Sequence, residues 1–433
     1  MTTFSSFAFG CRVNEAEKEA LDQKMIEAGF CFSEKNPDIF IINTCAVTHK
    51  AEREARNLIY QIKRKSPKTK IVITGCAATY WQKNKLYENL PIDLLVDNLN
   101  KEFLVELIKK RLSDQKKNPE PPHLRGVEYK LTSKFLSSGR LLIKIQDGCQ
   151  RFCTFCIVPY LRGLPKSRKI EEIINQINNY PEKISEVILT AINTEAFGLD
   201  TGETFIDLIE KVLEKTKIPR LSFGSIHPWS ITLQFINFYQ KILTANRLVN
   251  FFHIPIQSGS NTILQLMKRG YKTEEILEKL YALQKINFLS LLATDVIVGF
   301  LGETEKEFEE TYQFLEKSPL VKFHIFRFSK RKNTAAFYMA KNLKEPTEEE
   351  KKKRAKTLGK LSAKKYHQFL EKNLGRLSSA LILNKQKNGF FEALLDNQLP
   401  VLVEKKKNIG SGEVIKVKVE RIKNGQLVGK EVL

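Results

Sequence analysis

Short runs of β-branched and aromatic residues, each followed by a helix-compatible stretch, recur along most of the chain, and this alternation limits the fold more than any other feature. Parallel strands need a long crossover between them, usually a helix, so a repeated βα pattern leads to a parallel sheet. Near the start, SSFAF (5–9), DIFIINT (38–44), KIVITG (70–75) and DLLVDN (93–98) read as strands, with NEAEKEALDQKMIEAG and THKAEREARNLIYQIKRK as helices between them. Residues 1–112 therefore read as an α/β domain built on a parallel sheet. A polar, Pro-rich stretch, DQKKNPEPPHLRG, marks a linker over 113–135. Six further strand-like runs follow, at 140–146, 185–191, 219–223, 251–254, 291–299 and 321–328, and they imply a (β/α)6 partial barrel over 136–345. A helix-compatible segment spans 346–373, and over 374–433 the pattern changes to short strands with turns (NKQKNG, KNIGSG, KNGQ), a small all-β module.

The cysteines fall on this frame in two sets. Cys11, Cys45 and Cys76 each come just after one of the first three strands, in FGC, INTC and ITGC. The carboxyl ends of strands in an open parallel sheet share one edge, where ligand sites form, so these three thiols are expected to meet at one spot. The alternative is three buried structural cysteines. Cys31, in GFCFSE, lacks this placement and reads as a packing residue. Cys149, Cys153 and Cys156 form a CxxxCxxC frame in DGCQRFCTFCIVPYLRG, directly after the first barrel strand. Four thiolates would close a zinc site or saturate an iron–sulfur cube. Three leave one iron open, to chelate an amine and a carboxylate and to pass an electron to a bound sulfonium. A zinc knuckle needs a fourth Cys or His nearby, and the next histidine downstream is His227. An odd count of seven cysteines at irregular spacing suits metal ligation or catalysis better than disulfides.

Charge points to the partner. The chain carries 71 Lys plus Arg against 49 Asp plus Glu, a formal +22, which favours a polyanion such as nucleic acid. Half of that excess lies in residues 321–373, with 16 Lys plus Arg against 5 Glu. A helix over 346–373 would run about 40 Å at 1.5 Å per residue, long enough to follow several phosphates. Arg327, Lys330 and Arg331, in RFSKRKNT at the last barrel strand, are the candidate phosphate contacts, and Phe390 and Phe391 are candidate stacking platforms or core aromatics. The longest apolar run, FLSLLATDVIVGFLG, is interrupted by Asp295 and is too short to span a bilayer, so no membrane association is expected. MTTFSSFAFGC has no basic segment followed by an apolar one, so a cytoplasmic location is expected.

Six stretches, FGCRVNEAEKEAL, INTCAVTHKAEREAR, VITGC, QDGCQRFCTFCIVPYLRG, HIPIQSGSNTILQLMKRGY and TDVIVGFLGETEKEFEET, together resemble the radical S-adenosylmethionine methylthiotransferases. That family has an N-terminal three-cysteine domain, a radical barrel and a C-terminal RNA-binding β-module called TRAM. The resemblance implies two [4Fe-4S] clusters, one on Cys149, Cys153 and Cys156 that cleaves S-adenosylmethionine, and an auxiliary one on Cys11, Cys45 and Cys76. It implies Thr190, Asn193, Ser225, Gln257, Ser258 and Gly259 as cofactor contacts, at the ends of the second, third and fourth barrel strands. Ser260 is alternatively the N-cap of the helix beginning NTILQLM. Ala191, Phe223 with Gly224, His227 and Leu301 depart from the usual pattern.

Among the subgroups, GCRVN followed by INTCAVTHKAEREAR is most similar to the bacterial enzymes acting on N6-threonylcarbamoyladenosine next to the tRNA anticodon. The isopentenyladenosine enzymes usually read GCQMN, and the ribosomal-protein enzymes GCPKN. The resemblance then implies methylthiolation of C2 of the adenine, with S-adenosylmethionine as both radical source and methyl donor and the auxiliary cluster as sulfur source. It also implies the tRNA anticodon loop as a partner and an electron donor such as flavodoxin or ferredoxin. The rival readings are a relative acting on isopentenyladenosine or a ribosomal protein, and a non-catalytic RNA-binding protein stapled by zinc.

Overall fold

The computed structural model describes residues 1–112, 135–243, 246–387, 389–404 and 409–432, which form two compact units. The first comprises 1–112 with 148–150 and 156–164, and the second holds the other described residues. This division departs from the linear boundaries read from sequence. Part of the cysteine loop belongs with the first unit, and the basic helix and β-module share the second with the barrel. The expected linker lies, but for its last residue, outside the described residues.

In the first unit, β1 (Thr3–Ala8), β2 (Cys31–Phe32), β3 (Ile39–Thr44), β4 (Lys70–Gly75) and β5 (Leu94–Leu95) form an all-parallel sheet in the order β2-β1-β3-β4-β5. Successive side chains of a strand point to opposite faces, and both faces here are covered. Ile41 and Val72 pack with Phe4, Met25 and Ile108, whereas Ile42, Ile71 and Ile73 pack with Ala55, Ile59 and Trp81. This strand order reverses direction between β1 and β3, and ligands of such sheets bind at that switch point, outside the carboxyl ends. Cys31, on the edge strand β2, is half-exposed and its thiol faces Met1, so it is an edge residue and not part of the core.

In the second unit, β6 (Arg140–Asp147), β7 (Lys166–Ser167), β8 (Glu186–Ala191) and β9 (Arg220–Phe223) form one sheet in the order β7-β6-β8-β9. β10 (Phe251–His253), β11 (Leu291–Val298) and β12 (Lys322–Arg327) form another. A parallel bridge from Leu221 to Leu248 links β9 to the run leading into β10. The six strands β6, β8, β9, β10, β11 and β12 thus continue one another as a parallel partial barrel, and β7 is a short antiparallel addition to β6.

The tail forms a closed barrel of β13 (Leu377–Lys387), β14 (Phe390–Leu395), β15 (Pro400–Glu404), β16 (Val414–Lys423) and β17 (Gln426–Glu431). Phe391 is buried in its core and Phe390 is half-buried, so the first is not a base-stacking platform. The module docks on the amino-terminal ends of the parallel strands. Its apolar cluster continues into Leu291 and Ala293 of β11, Arg220 donates to the carbonyls of Leu394 and Leu395, and Gln398 donates to Glu186 at 2.8 Å. That end of a parallel barrel serves stability, while the chemistry sits at the other.

The helix Glu348–Lys372 opens with a complete capping box between Thr347 and Glu350. Several of its basic residues are docking groups. Lys351 pairs with Glu345 and Glu348, Arg354 reaches Glu303, and the Lys365 ammonium donates to the carbonyls of Leu315, Glu316 and Ser318, capping the end of the helix Glu305–Lys317. Burial brings Lys365 down to about 8. No helix among the described residues is long and apolar enough to cross a membrane.

Candidate functional site

The first unit builds its site where β1, β3 and β4 end. Cys11 is the N-cap of the helix Arg12–Glu27, Cys45 follows β3, and Cys76 is the first residue of the helix Cys76–Lys83. The Gly10 Cα approaches Cys45 so closely that a Cβ there would lie 2.7 Å from its sulfur. Gly75, at φ +94, has no room for a side chain against the Thr44 backbone. The Asn14 amide ties these ends together, donating to the carbonyls of Phe9 (2.7 Å) and Thr44 (3.0 Å). The structure brings the three thiols near one another, since Cys76 disfavours ionisation of both Cys11 and Cys45, and Cys11 that of Cys45. Burial, then the neighbouring Cys76, push the Cys45 thiol up to about 12. Cys11 and Cys45 therefore resist ionisation on their own, and thiols so placed suit a cationic group that holds them ionised.

A buried arginine, within the cysteine-loop motif but given no role by it, completes this site. Arg162, at the end of the helix Val158–Arg162, donates from Nε to the Cys76 sulfur at 3.2 Å. Its Nη1 donates to Glu17 at 2.8 Å and its Nη2 to Asn14 Oδ1 at 2.8 Å. Lys101 donates to Glu17 and to Asn43.

The CxxxCxxC loop is divided between the units: Cys149 and Cys156 fall in the first, half-buried, and Cys153 in the second, buried. The Cys149 amide donates to the Gly163 carbonyl at 3.0 Å, and Gly148, at φ +72, has backbone where a Cβ would stand. Arg269 donates from Nη1 to the Cys153 sulfur at 3.2 Å, from Nη2 to Pro255 O, and from Nε to the Tyr271 hydroxyl. Trp229 carries Arg269 and Arg151 at 4.5 and 4.4 Å from its ring, and Arg151 forms a two-point ion pair with Glu195. Among the described residues, no three His, Cys, Asp or Glu stand close enough to hold a single metal ion.

The remaining expected cofactor contacts separate into two groups. Thr190 and Asn193 are buried at the carboxyl end of β8, and the Asn193 Nδ2 is a buried donor with no acceptor among the described residues. A buried orphan donor costs free energy unless a partner arrives, so this atom fits a polar cofactor group. Ser225 meets His253 Nδ1 at 2.9 Å, and His253 Nε2 meets Asp295 at 2.8 Å, a relay from the end of β9 across β10 and β11 in which the sequence reading gives His253 and Asp295 no part. Gln257 sits at φ +75, a conformation rare for a residue with a side chain and typical of functional sites.

Ser258 and Gly259 turn elsewhere. Ser258 Oγ lies 3.2 Å from Thr311 Oγ1, and a Cβ on Gly259 would stand 2.7 Å from Phe314. On the side a Cβ would take, the close approach at Gly259 is made by the helix Glu305–Lys317. Ser260 is the N-cap of the helix Asn261–Leu266 by position only, because its hydroxyl donates to Glu310. The departures also have physical reasons. Phe223 packs on Phe205, Gly224 leaves room for Thr190, and Leu301 is core beside Phe300 and Phe328. Burial, then the Arg269 charge, lower His227 to about 3, so it is neutral and stacks on Trp229.

The expected phosphate contacts are corrected in part. Arg331 is 2% exposed and cannot meet a phosphate at the surface. Arg327 and Lys330 are engaged by Glu348 (2.9 Å) and Glu345 (3.2 Å). Both remain exposed beside these partners, and Lys352, Lys356, Lys360 and Lys364, at four-residue intervals along the helix Glu348–Lys372, are further exposed basic groups.

The model of the radical SAM superfamily matches residues 143–315, and that of the uncharacterized protein family UPF0004 matches residues 3–97. Threonylcarbamoyladenosine tRNA methylthiotransferase MtaB of Aquifex aeolicus is 33% identical, covering 93% of this chain and 96% of its own. The protein of the same name from Bacillus subtilis is 32% identical, covering 97% and 94%. The tRNA-2-methylthio-N(6)-dimethylallyladenosine synthase of Petrotoga mobilis is also 32% identical, covering 98% of each. Among solved structures, the radical S-adenosylmethionine methyltransferase TsrM of Kitasatospora setae aligns over 78% of each chain with a TM-score of 0.56 at 13% identity, a likeness of fold alone. The two family models together take in both three-cysteine sets, the curated relatives span nearly the whole chain, and the chain belongs to the radical S-adenosylmethionine methylthiotransferase family.

Proposed function

We propose that the protein methylthiolates C2 of N6-threonylcarbamoyladenosine next to the tRNA anticodon. The observation that carries this reading is the presence of two three-cysteine sets, one converging at the switch point of the first sheet and one in the CxxxCxxC loop. When bound, a [4Fe-4S] cluster on Cys149, Cys153 and Cys156 supplies the electron that cleaves S-adenosylmethionine, and an auxiliary one on Cys11, Cys45 and Cys76 supplies sulfur. The chain's own residues do the positioning. Arg269 holds Cys153 through its sulfur, and Asn193, Thr190, Gln257 and Ser225 present polar groups at the carboxyl ends of the barrel strands. His253, fixed by Asp295, orients the Ser225 hydroxyl. A small cytoplasmic electron carrier such as a flavodoxin or ferredoxin is the proposed reductant.

Within the first cysteine motif, the choice of adenosine rests on two residues. Asn14 is common to GCRVN, GCQMN and GCPKN, and its clamp on Phe9 and Thr44 is a structural duty. Arg12 and buried Val13 therefore carry the distinction within that motif, alongside INTCAVTHKAEREAR and the activity for which the Aquifex aeolicus and Bacillus subtilis relatives are named. The test is a reconstituted reaction, without oxygen, on tRNA bearing either modified adenosine, followed by nucleoside mass analysis. The expected product is the methylthio derivative of N6-threonylcarbamoyladenosine. A product formed only from the isopentenyl substrate would reverse the assignment.

We assign the four-lysine stripe to tRNA phosphates. It lies on a 25-residue helix about 37 Å long, so its lysines meet phosphates over several nucleotides. Replacing Lys352, Lys356, Lys360 and Lys364 by Gln is expected to weaken tRNA binding and lower its salt dependence, by about 0.7–0.9 in log–log slope for each phosphate no longer neutralised. An unchanged slope in a salt titration, with helical content retained, would contradict this assignment.

A further inference from the structure

The site in the first unit contains more charge than its packing needs. Arg162 and Glu17 are buried, their side chains 1% and 5% exposed, and Lys101 closes on the same carboxylate. Burying an ion pair is rarely favourable against apolar packing, so its retention asks for a reason. Two cations share one carboxylate here, and one of them, Arg162, also reaches the Cys76 thiol, which becomes anionic as a metal ligand. Of the guanidinium groups in this unit, that of Arg162 places an N–H on a ligand sulfur, while the rest of its fork is fixed by Glu17 and Asn14.

The geometry assigns Arg162 as the positioning residue that sets the reduction potential of the auxiliary cluster, with Glu17 as its counterweight. This rests on the reading of Cys11, Cys45 and Cys76 as cluster ligands. The physics has a definite sign. Reduction adds negative charge to a cluster, so a nearby cation and an N–H···S hydrogen bond favour the reduced form and raise the potential, whereas a nearby carboxylate lowers it. Both groups reach the site by contact, since Arg162 donates to the Cys76 sulfur at 3.2 Å and Glu17 accepts from the same guanidinium at 2.8 Å. Arg269 on Cys153 is the corresponding contact in the second unit, so each cysteine set has a guanidinium on one of its sulfurs.

The test uses the full chain with Cys149, Cys153 and Cys156 replaced by Ala, so that the auxiliary cluster alone is titrated, with its potential followed by electron paramagnetic resonance. Arg162→Met is expected to shift the midpoint to more negative values, Arg162→Lys to restore part of the shift, and Glu17→Gln to move it to more positive values. A strut that merely held the fold would not give shifts of opposite sign, so unchanged potentials, or shifts of the same sign, would overturn the inference. Should Arg162→Met fail to take up iron, Glu17→Gln decides alone: a rise supports the assignment and anything else overturns it. If the parent chain, with Arg162 intact, binds no cluster at the three remaining cysteines, the ligand reading itself fails before any variant of Arg162 is made.

Discussion

Cys45→Ala is expected to keep cleaving S-adenosylmethionine to 5′-deoxyadenosine while forming no methylthiolated tRNA, whereas Cys149→Ala loses both activities. The separation follows from the two sets of thiols being built by different parts of the chain. Cys45 stands at the end of β3, crowded by Gly10 and beside Cys76, and its loss removes one of three donors at the sheet's switch point. Cys149 instead belongs to the loop after β6, where its amide is held by Gly163. Chromatography of the nucleoside products from both variants checks this. Methylthiolated tRNA from Cys45→Ala at the wild-type level would remove the first site from the reaction.

Glu186→Ala is expected to destabilise the second unit by about 3–5 kcal/mol, the usual cost of breaking a buried charge cluster from one side. Glu186 is fully buried between Arg140 and Arg220, accepts from Ser222 at 2.6 Å, and receives Gln398 from the β-module. Its removal leaves two buried guanidinium groups without their carboxylate and cuts a tie between module and barrel. Burial alone raises this carboxyl, but the two arginines outweigh it and hold it below the ordinary range. A lowered folded-state value means that the stabilisation is complete above the unfolded carboxylate's pKa of about 4.3, and is lost as pH falls through the folded value. Denaturant unfolding of the wild type and variant, compared at neutral and acid pH, measures both effects. A difference under about 1 kcal/mol at neutral pH would show that the cluster is not coupled to folding.

How much is legible in the sequence depends on whether the signal is local. The parallel strands are buried on both faces, so they appear as apolar runs bounded by turns, and the run at 291–299 is found as Leu291–Val298. The two-residue strands Cys31–Phe32 and Lys166–Ser167 are too short to leave a period, and the sequence gives no sign of them. Cysteines at strand ends are legible because topology alone brings them together. Arg162 is not, because its partners Asn14 and Glu17 lie nearly 150 residues away and nothing local marks an arginine as buried. For the same reason Arg331 reads as surface charge. Lys351, Arg354 and Lys365 contribute to the basic run, yet their tasks are an ion pair, a buried clamp and a helix cap. Gly259 signals a close approach correctly, but a glycine does not say whether a helix or a ligand approaches.

The most direct measurement is the iron, sulfide and zinc content of the full chain purified without oxygen. Two cubes require about eight irons and eight sulfides per chain, with Cys45→Ala and Cys149→Ala each falling to about half. Zinc in place of iron, with no sulfide, would contradict the account and leave a basic, zinc-stapled RNA-binding protein in its stead.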